Sequence, residues 1–159
     1  MPDPRPSFAV LDDLRTRYKR ELVTLGADEE TGLLDEDRVV AVLGDVSAEI
    51  RAILYARYSR ADLERLDDDS RDVLRVFAMA MALYRVALSF SRSTERLEKG
   101  YADAVARLKD IAAGKGALVL LGDGAGEVAP EPGSAGIGNG TVLVEAAERL
   151  FTRERMRGL

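Results

Sequence analysis

The sequence predicts a mainly α protein: a small bundle of about four helices, flanked by an extended N-terminal arm and a long C-terminal segment. Three observations lead to this prediction. Apolar residues recur at spacings of three and four over several stretches, which is the period of an amphipathic helix. Prolines and glycines cluster outside those stretches. Hydrophobic residues make up 47% of 159 residues, enough for one core at this length.

The N-terminal third contains one arm, one helix and one turn. Residues 1–7 include three prolines and are predicted to form an extended arm. A short helix over residues 9–22 follows, with Ser7 as its N-cap. Residues 24–37 are predicted to be a turn region, in which six acids and no base lie between Asp28 and Asp37.

The second helix has the clearest pattern, since its apolar residues recur at spacings of four and three on one face. They are Val39, Leu43, Val46, Ile50 and Ile53. The acids at positions 35–37 suit its start, where negative charge complements the helix dipole, and Arg57 and Arg60 are placed near its end.

Two more helices are predicted, over residues 69–90 and 94–113. Asp67, Asp68 and Asp69 cap the first of them, which should be the most buried element, and Gly114 stops the second. Met79 and Met81 are interpreted as core filler, with a methionine-rich binding groove as the alternative. The predicted core of these two helices comprises Val73, Phe77, Leu83, Tyr84, Leu97, Tyr101, Leu108 and Ile111.

The periodic pattern ends after residue 114. Residues 117–121 could form a short strand, within a Gly/Pro-rich loop or hairpin arm over residues 117–148. Residues 149–159 contain four arginines and one acid and are predicted to be a basic docking tail. The chain thus divides into an arm (1–7), a helical bundle domain (8–116), the loop or hairpin arm and the tail.

Composition argues against an enzyme. The chain contains no histidine and no cysteine, which removes the commonest general base, thiolate nucleophiles and the commonest metal ligands. A calcium-binding loop of the EF-hand type needs a glycine at its sixth position and a glutamate at its twelfth. A loop that starts at Asp28 does not meet this requirement, because those positions are Leu33 and Val39. The glycines after Leu121 precede prolines rather than a helix, so a linker is favoured over a nucleotide-binding loop. We therefore expect no catalytic residues, no metal and no cofactor.

The net charge and the hydropathy of the chain argue against two kinds of partner, nucleic acid and membrane. The net charge of −5 argues against a dedicated nucleic-acid clamp. The most apolar run, residues 76–90, is too short for a membrane span and contains Arg85. We expect a soluble protein that is cytoplasmic when made and has no membrane partner.

A set of short motifs carries a family resemblance. In chain order they are Leu34-Asp35-Glu36-Asp37-Arg38-Val39-Val40, Ala56-Arg57-Tyr58, Ala82-Leu83-Tyr84-Arg85, the series Tyr101, Ala104, Leu108, Ile111, Ala112 and Gly114, and the terminus Phe151-Thr152-Arg153-Glu154 with Met156, Gly158 and Leu159. Together they resemble the head-completion, or head–tail connector, proteins of Mu-like tailed phages, a family often described only as a phage domain of unknown function. Relatives usually have a Leu-Pro-Leu after the Ala-Arg-Tyr, whereas this chain has no proline there.

The resemblance implies a structural virion protein. Such proteins form a homo-oligomeric ring, commonly twelve-fold, under the portal protein in the virion neck. The ring extends the channel through which double-stranded DNA passes and gives a platform for the stopper or tail terminator protein. A helical regulatory or scaffold protein, which binds another protein through its apolar helices, is the alternative.

The tail is the predicted docking element. Apolar anchors beside arginines are typical of interface hot spots, and a disordered basic tail is the alternative. The residues expected to contact the portal or a neighbouring subunit are Leu150, Phe151, Arg153, Arg155, Met156 and Arg157.

Overall fold

The computed structural model describes residues 6–122 and the backbone of residues 127–128. Five helices lie in this part of the chain, which confirms the mainly α prediction. They are α1 (Leu11–Gly26), α2 (Glu36–Leu54), α3 (Arg60–Glu64), α4 (Asp68–Ser89) and α5 (Glu95–Ala112). Two short strands, β1 (Val119–Leu120) and β2 (Glu127–Val128), pair antiparallel.

The first helix differs from its prediction at both ends. Its N-cap is Val10, not Ser7, and the Asp13 carboxylate accepts a hydrogen bond from the Val10 N–H at 2.8 Å. The helix also continues to Gly26, through a kink at Tyr18. Arg92, from the loop after α4, donates to the carbonyls of Thr24 and Ala27 and so satisfies the C-terminal end of α1.

The long helices begin at side-chain caps. Asp35, Asp67 and Thr94 each accept a hydrogen bond from a backbone N–H in the first turn of α2, α4 and α5. These caps lie where the acidic and hydroxyl residues of the sequence predicted helix starts. Arg57 lies in the turn directly after Leu54, the last residue of α2, and its N–H donates to the Leu54 carbonyl, whereas Arg60 begins α3.

Helix α3 is an element that the sequence pattern did not predict. Ser59 caps it and accepts from the Asp62 N–H, while the Asp62 carboxylate accepts from the Ser59 N–H. This reciprocal pair is a capping box, and it builds the link between α2 and α4 without a proline.

The core surrounds α4, which packs against α1, α2 and α5. Val73 is not part of it: the side chain is 44% exposed, because Leu74 occupies the inward side of α4 at that level. The fully buried members of the predicted core are Val39, Leu43, Val46, Ile50, Leu83, Leu97 and Leu108. Those that are partly buried and pack against it are Ile53, Phe77, Tyr84, Tyr101 and Ile111.

The segment after α5 is hydrogen-bonded to the region where α3 ends and α4 begins. The Leu121 N–H donates to the Arg65 carbonyl, and the Asp67 N–H donates to the Val119 carbonyl at 3.0 Å. Ser70 accepts from the Val119 N–H at 2.8 Å. These bonds hold β1 against the loop between α3 and α4.

Candidate interaction surface

Several acids of the described residues act as caps and turn formers. Asp28 accepts hydrogen bonds from the N–H groups of Thr31 and Glu30, both at 3.0 Å. The bond from the Thr31 N–H, followed by that from Glu30, lowers the pKa of Asp28. Within residues 6–122, no three acidic side chains converge to hold a metal ion.

A network of three polar side chains ties together the three longest helices. The Tyr101 hydroxyl and the Arg85 guanidinium both donate to the Glu49 carboxylate, at 2.6 Å each. The hydrogen bond to Glu49 raises the pKa of Tyr101, so the phenol stays protonated and is not a proton-transfer group near neutral pH. The arrangement therefore serves structure, since it joins α2, α4 and α5.

A groove lined by four arginines opens beside the C-terminal end of α2. It has a volume of about 440 Å³ and lies between the N-terminal segment, α2, α3 and the first turns of α4. We call it the arginine groove. Its lining residues are Pro6, Ser7, Phe8, Arg51, Tyr55, Arg60, Leu63, Glu64, Arg71, Asp72 and Arg75.

The N-terminal wall of the arginine groove is held in place by α2. The Phe8 N–H donates to Ser47 Oγ at 3.1 Å, and the Arg51 guanidinium donates to the Pro6 carbonyl at 2.7 Å. The Arg51 guanidinium carbon also lies 5.4 Å from the Phe8 ring centroid. Arg51 is only 6% exposed, so this wall is an integral part of the fold.

The opposite wall carries paired charges. Arg60 lies 3.2 Å from Glu64, and Arg75 lies 2.5 Å from Asp72. Arg71 donates to the backbone carbonyls of Glu64 and Leu66. Four arginines and two acids thus line the groove, and each acid is paired with one of the arginines.

A second surface, the acidic turn of residues 28–37, precedes α2. Gly32 has a φ of +67°, which glycine adopts without strain. The Asp28 N–H donates to the Leu33 carbonyl at 2.8 Å and closes the turn. Leu33 is 71% exposed, so the turn presents an apolar side chain among acids.

A family comparison covers most of this part of the chain. The family model described as "Bacteriophage Mu, Gp36" matches residues 8–137. The chain belongs to this family. Membership of this family identifies it as a Mu-like phage protein and indicates a role in phage structure or morphogenesis. A search of curated proteins finds no match.

The predicted docking tail of this Gp36-family protein lies outside the residues that the structure describes. Leu150, Phe151, Arg153, Arg155, Met156 and Arg157 lie outside residues 6–122 and 127–128. Most of the Gly/Pro-rich stretch lies outside them as well. The prediction for the tail therefore stays a prediction.

Sequence reasoning missed the arginine groove in this Gp36-family protein. The groove joins side chains from four segments, and the contact between Pro6 and Arg51 spans 45 positions. The available local pattern was the four-residue spacing of Arg71 and Arg75, which places both on one side of α4. That spacing alone does not distinguish a groove from an ordinary solvated helix face.

No helix within residues 6–122 of this Gp36-family protein is long and apolar enough to cross a membrane.

Proposed function

We propose that this Gp36-family protein is a head–tail connector subunit, which forms a ring under the portal in the virion neck. The observation that carries the proposal is the family match over residues 8–137. The ring would extend the DNA channel and present a platform to the stopper or tail terminator.

The described structure supports an assembly role. The described residues carry two surface features that neighbours could bind, the arginine groove and the acidic turn. A ring subunit needs a rigid body with surfaces that can bind neighbours, and the buried core from Ala9 to Leu120 supplies the rigid body. The net charge of −5 suits a channel that DNA slides through, since like charge opposes tight phosphate binding.

The tail gives the proposal its sharpest test. A phage or prophage that encodes this chain without residues 150–159 should fill its heads with DNA but not join them to tails. Electron microscopy counts unjoined heads, and a plaque assay measures infectivity. The double change F151A and M156A should cause a smaller loss of joining, because it removes the two apolar anchors and keeps the arginines.

The control is the loss of an exposed apolar side chain outside the tail. Leu88 is an exposed apolar residue of α4, so Leu88→Ala should leave joining unchanged. Full infectivity after deletion of residues 150–159 would contradict the docking role of the tail. An image of the neck without a ring of this chain would contradict the connector function itself.

A further inference from the structure

Helix α1 carries a run of bases that no acid interrupts. Arg15, Arg17, Lys19 and Arg20 fall within six residues, with no acid among them, and all four side chains are exposed. No six-residue window elsewhere in the described chain contains more than two bases. A protein with a net charge of −5 therefore concentrates positive charge on its first helix.

Three of these four bases form no ion pair with any acid of the described residues. Arg15 pairs with Glu36 and is not counted. We call the other three the α1 cations; they are Arg17, Lys19 and Arg20. Their side chains belong to none of the ion pairs within residues 6–122, so their charge is available to a partner.

The two acids that helix spacing places nearest to Arg17 are engaged elsewhere. Asp13 and Glu21 lie four residues before and after it, the spacing at which ion pairs form on a helix. The Asp13 carboxylate accepts instead from the Val10 N–H at 2.8 Å, and Glu21 pairs with Arg96. The other two α1 cations have no acid three or four residues away. Positive charge therefore remains at this surface, and salt screens the more distant acids beyond about 8 Å.

The opposite side of α1 is anchored in the core. Leu14 and Leu22 are buried, and Tyr18, at the kink, packs against the core. The Arg92 guanidinium holds the C-terminal end of the helix through its backbone carbonyls. The α1 cations thus project from a fixed backbone, so a partner that binds them does not have to order the helix first.

The other side chains of the run decide which anionic partner this surface fits. Between residues 15 and 20 the exposed side chains are the four bases and Thr16. The run offers no exposed apolar anchor, which the centre of a protein interface uses. Phosphate contacts with nucleic acid need only charged and hydroxyl side chains, and they carry no sequence information. The surface therefore matches a phosphate backbone more closely than it matches a protein.

We propose that the α1 cations of each copy contact the phosphate backbone of double-stranded DNA in the connector channel. The contact is independent of sequence, which a channel that passes a whole genome requires. Three bases per copy bind weakly, and the acidic remainder of the chain opposes tight binding, so the DNA can still slide. The inference rests on the proposed function, because it assigns the side of the connector subunit that faces the DNA.

Binding of the full chain to a short DNA duplex tests the contact, with fluorescence anisotropy at low salt as the readout. The logarithm of the binding constant should fall with the logarithm of the salt concentration with a slope of about −2.7, since each neutralised phosphate contributes about −0.9. The triple change R17E, K19E and R20E should weaken binding about tenfold or more and remove most of that slope. The neutral triple change R17Q, K19Q and R20Q should also weaken binding, by a smaller factor.

The matched control reverses three exposed bases of α5, which stand among acids of the same helix. The changes are K99E, R107E and K109E. Both charge-reversed variants replace three bases by three acids, so they change the net charge equally, and only the α1 variant should lose DNA binding. Urea unfolding should show that both variants fold, because all six side chains are exposed.

Cross-linking in particles locates the contact. The photoactivatable residue p-benzoylphenylalanine in place of Thr16 keeps the α1 cations and should cross-link this chain to the packaged DNA. The same residue in place of Ala106, an exposed position on α5, should not.

The outcomes separate this contact from the proposed function. A ring of this chain in the particle neck that gives no DNA cross-link from position 16 would overturn the contact and leave the connector function standing. DNA binding that depends on the α1 cations, by a chain that is absent from particles, would support the phosphate contact and overturn the connector function. Equal losses in the α1 and α5 variants would reduce the effect to net charge and overturn the contact. Displacement of the duplex by polyglutamate as readily as by unlabelled DNA would make an acidic protein the partner and would also overturn it.

Discussion

At the scale of single residues, two helix ends use the same backbone geometry with different side chains. After α5, Gly114 has a φ of +83°, and the N–H groups of Gly114 and Lys115 donate to Ile111 and Asp110. After α4, Ser91 has a φ of +54°, and the N–H groups of Ser91 and Arg92 donate to Leu88 and Ala87. Both are Schellman motifs, but a serine in the left-handed region is strained.

Ser91→Gly should therefore stabilise the protein by about 0.5–1 kcal/mol, since glycine adopts this φ without a steric penalty. The free energy of unfolding in urea measures the effect. The matched variant Gly114→Ala should destabilise by about 1 kcal/mol for the converse reason. A loss of stability in Ser91→Gly would mean that the serine side chain makes a contact worth more than the strain.

The cap of α4 should make stability depend on pH. The hydroxyl of Ser70, followed by its backbone N–H, lowers the pKa of Asp67 below the ordinary value of 3.8. A lowered pKa in the folded state adds stability that is present above about pH 4 and is lost as the pH falls through the folded pKa. Asp67→Asn cannot titrate, so its free energy of unfolding should fall less between pH 7 and pH 3 than that of the wild type.

Urea unfolding at the two pH values measures this difference. Glu98→Gln, a change at an exposed acid on α5, is the control and should keep the wild-type fall in stability. An equal fall in Asp67→Asn and the wild type would show that the cap does not contribute to acid sensitivity.

At the scale of elements, one buried hydroxyl helps to hold the segment after α5 in place. Tyr58 is 1% exposed, and its hydroxyl accepts a hydrogen bond from the Leu118 N–H at 2.8 Å. Tyr58→Phe would leave that buried N–H without its acceptor, at a cost of about 1–2 kcal/mol. Amide hydrogen exchange at Leu118 should rise with it.

The control for that variant is another tyrosine. Tyr84 contacts Tyr101 through its ring, with centroids 5.0 Å apart, and phenylalanine keeps a ring. Tyr84→Phe should therefore change stability by less than about 0.5 kcal/mol. Equal effects of the two changes would contradict the role given to the Tyr58 hydroxyl.

Helix-scale periodicity predicted the three longest helices because each repeats its apolar face over several turns. It could not predict α3, whose five residues are too few to show a period, although Ser59 and Asp62 carry the capping-box spacing. The pattern also places Val73 in the core wrongly, for a different reason. The middle of α4 is apolar nearly all round, so the sequence does not show which side faces inward.

Helix periodicity could not predict the arginine groove, because the groove depends on contacts between segments that are distant in the sequence. The position of Arg51 on α2 could be predicted, but its bond to the Pro6 carbonyl could not. Local patterns predict elements and their faces, whereas a surface built from four segments requires the packing of those elements. The acidic turn was recognised because its residues are neighbours in the sequence.

At the scale of the whole molecule, the rigid body and the proposed docking elements occupy different parts of the chain. The buried hydrophobic residues of the described part lie between Ala9 and Leu120. The acidic turn and the arginine groove lie on the surface of that body, and the proposed docking tail follows it in sequence. Changes to those surfaces or to the tail should therefore leave the core undisturbed.

That separation predicts that a chain ending after Val128 folds as the full chain does. Its free energy of unfolding should differ from that of the full chain by less than about 1 kcal/mol, because the truncation keeps the core and the β1–β2 pair. Urea unfolding with cooperativity unchanged would check this. Val73 and Val76 are 44% and 39% exposed, and burial of both would be worth roughly 2 kcal/mol. A loss of that size on truncation would mean that residues 129–159 cover this face of α4 and belong to the folded body as well as to assembly.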